Sequence, residues 1–318
     1  MRKVLITGGA GFIGSNLADR LVADGLDVTV YDNFSTGRHE FVSGLDARVV
    51  EGDVLDAGAL QAAMAGCDTV FHLAANADVR HGLEHPRRDL EQNTIATSNV
   101  LEAMRAAGAS RIVFSSTGSV YGEPEVFPTP EDCPFPVQTS LYAASKLAGE
   151  GLIAAYCTGY AITGVVYRFV SILGERYTHG HVYDFVAALR RDPSELHVLG
   201  DGRQEKSYLY VGDCVEAILT GLAAARGGSF SVFNLGTDET LVVDDSVAAI
   251  CAALGVAPQV EHSGGRRGWV GDSPLIRLDT TRIRELGWTP QLTIPEAVQR
   301  TVAWLEANPF VFGERAVA

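Results

Sequence analysis

Tyr142 and Lys146 stand four residues apart in the segment Tyr-Ala-Ala-Ser-Lys, and their side chains are of types that can move a proton together. On a helix, positions i and i+4 share one face, so the phenol and the ammonium would reach the same object. A nearby ammonium favours the phenolate, lowers the pKa of the tyrosine and makes it a usable base. The chain has only two other lysines, Lys3 and Lys206. We therefore interpret the pair as catalytic, the alternative being an ordinary helix pair.

A glycine-rich turn near the N-terminus has the spacing of a phosphate-binding loop. The segment Thr7-Gly-Gly-Ala-Gly-Phe-Ile-Gly14 lies between a short apolar strand and a helical pattern. Glycines there permit a tight turn and let the backbone approach a pyrophosphate, which the unpaired N–H groups at the helix N-terminus would bind. The strand–turn–helix context favours a dinucleotide site over a purely structural turn. The expected contacts are Gly8, Gly11, Phe12, Ile13 and Gly14.

Asp32 ends the second predicted strand, 18 residues after Gly14. A carboxylate there can accept hydrogen bonds from the adenosine ribose and would repel a 2′-phosphate, so we predict NAD as the cofactor in preference to NADP. Two alternatives stay open: Arg38 could pair with a 2′-phosphate, and the carboxylate could simply solvate a loop. The other cofactor contacts expected beside Asp32 are Asn33, Ser35, Thr36 and Gly37.

The elements that must position these residues alternate between β-branched runs and helical patterns. Strands that alternate with helices indicate a parallel sheet covered on both faces, so the predicted fold class is α/β. The predicted strands are Val4–Ile6, Val28–Tyr31, Arg48–Val50, Thr69–Leu73, Arg111–Ser115 and Gly164–Arg168, and the predicted helices are 13–23, 94–107 and 141–157.

The alternation weakens after residue 170. Residues 171–206 mix glycine, histidine and arginine, and 258–275 lacks periodicity, although Tyr208–Val211 and Val232–Leu235 have the composition of strands. We therefore predict two parts. They are a dinucleotide-binding domain of residues 1–170 with about 207–237, and a smaller substrate lobe of about 171–206 with 238–318.

Composition and charge exclude several classes of function. The chain has 318 residues, of which 47% are hydrophobic and 20% charged, as in a globular protein. Its formal net charge of −14 argues against nucleic-acid or anionic-membrane partners, which need a basic patch. The five cysteines are widely spaced without a Cys-x-x-Cys pair, so we expect neither a metal site nor disulfides. A strand that begins at position 3, and the lack of an apolar run of about 18–20 residues, predict a soluble cytoplasmic protein without a signal peptide.

Several segments, in their order along the chain, resemble the extended short-chain dehydrogenase/reductase family and in particular its nucleotide-sugar 4-epimerase branch. They are the glycine-rich turn, Asp32, Gly52-Asp53, Leu73-Ala-Ala75, Ser115-Ser-Thr117 and Tyr142-x-x-x-Lys146, followed by 200–211 and 267–272, which look like nucleotide-diphosphate-binding segments. The resemblance covers nearly the whole chain. It implies a Rossmann-type doubly wound parallel sheet with a smaller C-terminal substrate lobe, and a homodimer formed through helices near 94–107 and 141–157.

The resemblance also implies a role for each segment. Tyr142 would be the catalytic base, and Lys146 would bind the nicotinamide ribose and hold down the pKa of the tyrosine. Thr117 would hydrogen-bond the sugar hydroxyl, unless it only bonds locally to the backbone. Asp53 and Val54 would lie at the adenine. The remaining contacts expected along NAD are Leu73, Ala74, Ala75, Asn93 and Ser115.

The residues after Thr117 distinguish between the reactions of the resembling enzymes. Their 4,6-dehydratases carry an acidic pair before the Val-Tyr-Gly of this segment, and their UDP-glucuronate decarboxylases usually carry a glutamate there. This chain has Gly118 and Ser119, which cannot do carboxyl chemistry. We therefore expect C4 epimerisation of a UDP-sugar through a transient 4-keto intermediate, with dehydration and decarboxylation as the alternatives.

The sugar is open at this point. A uronate such as UDP-glucuronic acid needs partners for its C6 carboxylate, which Arg80, Arg176, Thr178 or His179 could supply, whereas UDP-glucose or UDP-galactose needs only neutral hydrogen bonds. The diphosphate needs cations. Where the resembling enzymes more often have arginine this chain has Lys206, and it has Ser171 where many have asparagine. The expected substrate contacts are Arg80, Thr117, Ser171, Arg176, Thr178, Lys206, Arg267 and Asp272.

A function of another class is a redox-sensing NAD-binding module without catalysis. Such proteins typically lose the tyrosine or the lysine of the pair, and this chain keeps both Tyr142 and Lys146. We therefore favour an enzyme.

Overall fold

The computed structural model of the chain describes residues 1–76, 84–134, 137–266, 268 and 275–313. Its strands are β1 Lys3–Thr7, β2 Asp27–Asp32, β3 Arg48–Glu51, β4 Thr69–His72, β5 Arg111–Thr117, β6 Thr163–Phe169, β7 Ser171–Leu173, β8 Glu195–Val198, β9 Glu205–Lys206, β10 Tyr208–Tyr210, β11 Phe230–Leu235, β12 Leu241–Val242, β13 Gln259–His262 and β14 Leu275–Ile276. Its helices are α1 Phe12–Ala23, α2 Ala57–Ala63, α3 Pro86–Asp89, α4 Ala96–Ala107, α5 Leu141–Tyr160, α6 His181–Arg191, α7 Val211–Ala224, α8 Val243–Leu254, α9 Thr281–Arg284 and α10 Ile294–Ala307. A π-helical turn spans Leu90–Ile95, and 3₁₀ turns span His39–Phe41, Gly118–Tyr121 and Pro309–Phe312.

A seven-stranded sheet runs through the described part of the chain in the order β11-β6-β5-β4-β1-β2-β3, and every neighbouring pair is parallel. This confirms the predicted Rossmann-type α/β fold. The direction of winding reverses between β1 and β4, so the loops that leave these strands diverge and open a crevice at the carboxyl edge of the sheet. Ligands of open α/β sheets bind in such a crevice.

The core has one hydrophobic cluster on each face of the sheet. Successive residues of β1 alternate between the faces, as the period of a strand requires: Val4 and Ile6 belong to the first cluster and Leu5 to the second. The first cluster continues into the C-terminal helices through Ile250 of α8 and Val298 of α10. The C-terminal part therefore shares a core with the dinucleotide-binding part, and the boundary near residue 170 stays a prediction.

The chain between residues 171 and 206 is more regular than its sequence suggests. It contains the amphipathic helix α6 and the strands β7, β8 and β9. Of the two strands predicted between residues 207 and 237, Tyr208–Tyr210 forms β10, which pairs with β7 in a separate two-stranded sheet, whereas Phe230–Leu235 forms β11 and joins the main sheet beside β6. The strands β7, β8 and β9 have only 3, 4 and 2 residues. Strands this short show little alternation of apolar and polar residues, so the sequence alone does not reveal them.

No helix in the described ranges combines the length and apolar character needed to span a membrane.

Candidate functional site

The glycine-rich turn between β1 and α1 has no room for side chains at two of its glycines. Gly8 has φ +68°, and a Cβ there would lie 2.7 Å from the backbone nitrogen of Ala74. At Gly14 a Cβ would lie 2.2 Å from the carbonyl oxygen of Gly8. The amide of Gly11 donates to that same oxygen at 3.1 Å, which closes the turn. The turn therefore needs glycine for both its backbone conformation and its close packing.

The first turn of α1 fits an anionic ligand. Gly11 stands at the N-cap and provides no side-chain acceptor for the first N–H groups of the helix. Those groups and the positive end of the helix dipole lie in the crevice beside β1 and suit a pyrophosphate. Phe12, the first helical residue, is buried and packs edge-to-face on Tyr177 at 5.4 Å between ring centroids. The residues present thus fit the predicted dinucleotide.

Asp32 holds the turn as well as facing the crevice. Its carboxylate accepts from the backbone N–H of Ala10 at 2.9 Å and from that of Phe34 at 2.8 Å. Burial raises the pKa of this carboxyl, and the two backbone hydrogen bonds oppose the rise. Arg38 is directed elsewhere, because its Nη2 donates to the carbonyl oxygen of Val311 at 2.7 Å. The carboxylate of Asp32 suits NAD. Because Arg38 is turned away, it does not offer a partner to a 2′-phosphate.

The residues expected at the adenosine end lie together after β2 and β3. Asn33 donates through its side-chain amide to Asp53 at 3.0 Å, and Ser35 bonds to the amide oxygen of Asn33 at 2.7 Å. Val54 is buried next to them, and Thr36 is exposed. A Cβ on Gly37 would lie 2.8 Å from the carboxylate of Asp32, so the loop returns close to that residue.

The loop that follows β4 is tied to the first strand. The backbone N–H of Leu73 donates to the carbonyl of Thr7 at 3.0 Å, and the hydroxyl of Thr7 contacts His72 at 2.8 Å. Burial, and then the charge of Lys146, lower the pKa of His72 to about 3, so this ring is neutral. Leu73, Ala74 and Ala75 are only partly buried and line the crevice edge beside the glycine turn. The sequence analysis did not identify His72 as a hydrogen-bonding residue, because in the sequence it is one residue of an apolar strand.

Asn93 lies in the π-helical turn and is 1% exposed. Its amide oxygen accepts from the backbone N–H of Asn76 at 2.8 Å, and its amide nitrogen donates to the hydroxyl of Ser145 at 2.8 Å. Asn93 therefore joins the end of the crevice loop to α5. Its direct contact with the cofactor stays a prediction.

The three residues predicted to be catalytic come together at the carboxyl end of β5. Thr117 is the last residue of that strand, and its hydroxyl accepts from the backbone N–H of Ser119 at 3.1 Å. It lies close enough to the phenol of Tyr142, in the first turn of α5, to lower the pKa of that tyrosine. Ser140 caps this helix by accepting from the N–H of Ala143 at 3.1 Å, which fixes where α5 begins. Lys146 lies one turn further along and donates to the carbonyl of Ser115 at 2.7 Å.

The expected effect of Lys146 on Tyr142 is not present in this structure. Burial, and then the negative charge of Asp89, raise the pKa of Tyr142 to about 12, while the hydrogen bond with Thr117 opposes the rise. Burial lowers the pKa of Lys146 to about 7, against the charges of Glu150 and Asp89. The expectation that the lysine lowers the pKa of the tyrosine is therefore corrected, because the buried amine is bonded to a carbonyl and only partly charged at neutral pH.

A buried ion pair beneath this group was missed from the sequence. Arg168 of β6 and Glu150 of α5 form two hydrogen bonds, of 3.1 Å from Nε and 2.7 Å from Nη2, with both side chains at most 5% exposed. The signal that could have found it is a glutamate four residues after Lys146, on the same face of the helix.

The structure describes only some of the residues predicted to bind the substrate, and these differ in burial. Lys206 lies on β9, and its charge, after burial, lowers the pKa of His181 to about 4, so the two lie near each other at the start of α6. Ser171 is exposed on β7, and Thr178 is buried. Arg80, Arg267 and Asp272 lie outside the described residues.

Arg176 contacts residues of the dinucleotide-binding part of the chain. Its Nη2 pairs with Asp19 of α1 at 2.7 Å, and its guanidinium lies over the ring of Phe41 at 5.8 Å. The backbone at Arg176 has φ +68°, which turns the side chain in a direction that sequence spacing does not reveal. Its contact with the substrate stays a prediction.

Comparison with known proteins agrees with this geometry. A model of the NAD dependent epimerase/dehydratase family matches residues 4–236. A UDP-glucose 4-epimerase of Mycolicibacterium smegmatis is 36% identical over 312 residues, 94% of this chain and 97% of the relative. A crystal structure of a UDP-galactose 4-epimerase superposes with a TM-score of 0.87 at 38% identity, covering 96% of this chain and 99% of that one.

A Thermus thermophilus UDP-glucose 4-epimerase, solved in complex with NAD, superposes with a TM-score of 0.85 at 34% identity, again over 96% of this chain and 99% of that one. The predicted cofactor and the predicted resemblance are thereby confirmed. Because the family model spans well over half the chain and the similarity continues to near both ends, the chain belongs to the NAD dependent epimerase/dehydratase family.

Proposed function

We propose that the protein interconverts UDP-glucose and UDP-galactose by inverting C4 of the hexose. The observation that carries the proposal is the grouping of Thr117 beside the phenol of Tyr142, with Lys146 one helical turn away, at the sheet edge where the glycine-rich turn lies. A hydroxyl between a phenol and the crevice can pass a proton from a sugar hydroxyl to that phenol.

The chain's own residues move the proton. Tyr142 takes it from the C4 hydroxyl, directly or through Thr117, and returns it after the sugar has turned. Bound NAD would supply reversible hydride transfer at C4, and its positively charged ring would favour the phenolate of Tyr142. Lys146 holds the nicotinamide ribose, while Lys206 provides positive charge for the diphosphate. The net redox change is zero, so NAD is recycled without leaving.

Two features support a neutral hexose over a uronate. Arg176 is paired with Asp19, so it is not available to a C6 carboxylate. The relatives reported above are named for UDP-glucose or UDP-galactose. Gly118 and Ser119 also carry no carboxyl group, which supports epimerisation over dehydration and decarboxylation.

Feeding the purified protein UDP-glucose, UDP-N-acetylglucosamine and UDP-glucuronic acid separately, and resolving the product sugars by chromatography, tests this proposal. We expect UDP-galactose from the first substrate, at a kcat/KM at least about tenfold above that for UDP-glucuronic acid, because a missing carboxylate partner costs more than about 1 kcal/mol. Preferred turnover of UDP-glucuronic acid would contradict the neutral hexose. Bound NAD with no turnover of any of the three would favour the redox-sensing module.

We also propose a cytoplasmic homodimer formed through α4 and α5. Large apolar side chains are exposed on and beside these helices, with Leu90 49%, Ile95 42% and Leu141 39% exposed. Exposed apolar groups that lie close together on a soluble chain mark an interaction surface.

A further inference from the structure

Three polar residues form a row along α5, and each lies against one of three consecutive residues of β5. Tyr142, Lys146 and Glu150 follow one another at intervals of four, so they lie on one face of the helix. The phenol of Tyr142 lies beside the side chain of Thr117, and Lys146 donates to the carbonyl of Ser115. The third contact of the row lies between these two, at residue 116.

Glu150 has partners on two strands at once. The hydroxyl of Ser116 on β5 donates to its Oε1, and the guanidinium of Arg168 on β6 donates to both of its carboxylate oxygens. Ser116 and Arg168 are register partners in the parallel ladder of β5 and β6. The ladder therefore places both donors opposite the same turn of α5.

Arg168 is itself fixed on its other side. Its Nη1 donates to the phenol oxygen of Tyr121 at 2.7 Å and to the backbone carbonyl of Glu131 at 3.0 Å. Tyr121 in turn donates to the amide oxygen of Asn234 on β11 at 2.8 Å. The carboxylate of Glu150 is thus anchored to three adjacent strands of the main sheet, which leaves it little freedom to follow a displaced helix.

We propose that Glu150 is a positioning residue for the catalytic row: clamped by Arg168 and Ser116, its carboxylate fixes α5 against β5 and places a negative charge near the buried Lys146. This rests on the proposed function only for its effect on turnover, since the placement and charge of Lys146 can be measured without a substrate.

The titratable groups around Lys146 and its partner Glu150 lie on several elements. Glu150 is on its own helix, Asp89 is on α3, His72 is on β4 and Arg168 is on β6. Of the groups that oppose the effect of burial on the pKa of Lys146, Glu150 is the largest and Asp89 the second. His72 is buried and neutral, so it contributes no positive charge of its own.

Removing the charge of Glu150 should make Lys146 lose its proton at a lower pH. A lysine is charged below its pKa. Burial lowers the pKa of Lys146 and the carboxylate of Glu150 raises it, so the pKa falls when that carboxylate is removed. The Glu150→Gln variant should therefore lower the titration midpoint of Lys146 by about one pH unit or more. For the same reason the alkaline limb of kcat/KM should move to lower pH, and NAD affinity should begin to fall at a lower pH than in the wild type.

The scarcity of lysine makes this measurable. Labelling the lysine ε-carbons with ¹³C gives signals from Lys3, Lys146 and Lys206 only, and replacing Lys3 and Lys206 by arginine in turn assigns them. Titration followed by NMR then gives the midpoint of Lys146, and calorimetry gives NAD affinity against pH. The matched control is Glu131→Gln, which removes another buried carboxylate of the same network but leaves the charge next to Lys146.

Glu150→Gln removes the counter-ion of the buried Arg168, so the double variant Glu150→Gln/Arg168→Gln, in which both charges are removed together, is measured beside it. We expect a lower Lys146 midpoint in folded Glu150→Gln, a smaller shift in the same direction in the double variant because a nearby cation is also removed, and an unchanged midpoint in Glu131→Gln. An unchanged midpoint in a folded Glu150 variant, or an equal shift in Glu131→Gln, would overturn the proposal. Lack of epimerase activity in the wild type would instead count against the proposed function and leave the titration result standing.

Discussion

At the scale of single residues, the site pairs a phenol whose pKa is raised with an amine whose pKa is lowered. Burial does both, because it disfavours the phenolate of Tyr142 and the ammonium of Lys146 alike. The phenol is thus neutral and the amine only partly charged at neutral pH, and the positive ring of NAD would favour the phenolate when the cofactor binds. A base that becomes active only when the cofactor is bound avoids unproductive proton transfer in the empty crevice.

Replacing Tyr142 by phenylalanine should remove the base and leave the fold intact. We expect kcat to fall by about 10²–10⁴-fold, the usual contribution of a positioned acid–base group. Turnover can be followed by coupled detection of the product hexose, and bound NAD by absorbance after denaturation. The matched control is Tyr160→Phe on the same helix, where the ring is 55% exposed, and it should keep wild-type kcat. Near-normal turnover in Tyr142→Phe would contradict the assignment.

At the scale of elements, the β1–α1 turn is a part of the structure that the sequence predicts well. The positions of Gly8 and Gly14 predict the turn because only glycine fits the backbone contacts found there. The i+4 spacing likewise predicts that Tyr142 and Lys146 share a face of α5. Arg176 could not be placed this way, since its side-chain direction depends on a positive φ that spacing does not encode. Glu150 and Arg168 meet through the register of β5 and β6, which a single sequence does not reveal.

Gly14→Ala should weaken NAD binding by about tenfold or more, because its Cβ would displace the carbonyl of Gly8 and overpacking of this kind costs about 1–3 kcal/mol. Calorimetric titration with NAD measures the change. Gly44→Ala is the matched control, since a Cβ at Gly44 meets nothing within 4 Å and should leave the affinity unchanged. Equal NAD affinity in Gly14→Ala and the wild type would show that the turn does not approach the cofactor.

At the scale of the whole molecule, the two halves of the chain are joined by one core and by polar contacts to the sheet. The cluster that contains Val4 of β1 also contains Val298 of α10, and the side-chain amide of Asn234 on β11 donates to the carbonyls of Thr129 and Asp279. Composition could predict a chain of this class, but it could not predict that the predicted substrate lobe packs into the first core. That packing depends on long-range contacts between residues without a shared local pattern.

The proposed dimer can be tested by placing a charge on its apolar surface. Ile95→Glu should convert the protein to a monomer in size-exclusion chromatography with light scattering, because a carboxylate buried in an apolar interface without a partner is strongly disfavoured. Leu286→Glu is the matched control, since Leu286 is 39% exposed but lies far along the chain from α4 and α5. A wild type that elutes as a monomer, or an Ile95→Glu variant that remains dimeric, would contradict this interface.

The contact between Arg38 and the carbonyl of Val311 joins the loop after β2 to the 3₁₀ turn that closes the described chain. The same turn packs Phe310 against Phe41, at 6.4 Å between ring centroids. Arg38 and Val311 are 273 residues apart in the sequence. The loop that follows Asp32 therefore reaches its final contacts only after the chain through Val311 has folded back onto it.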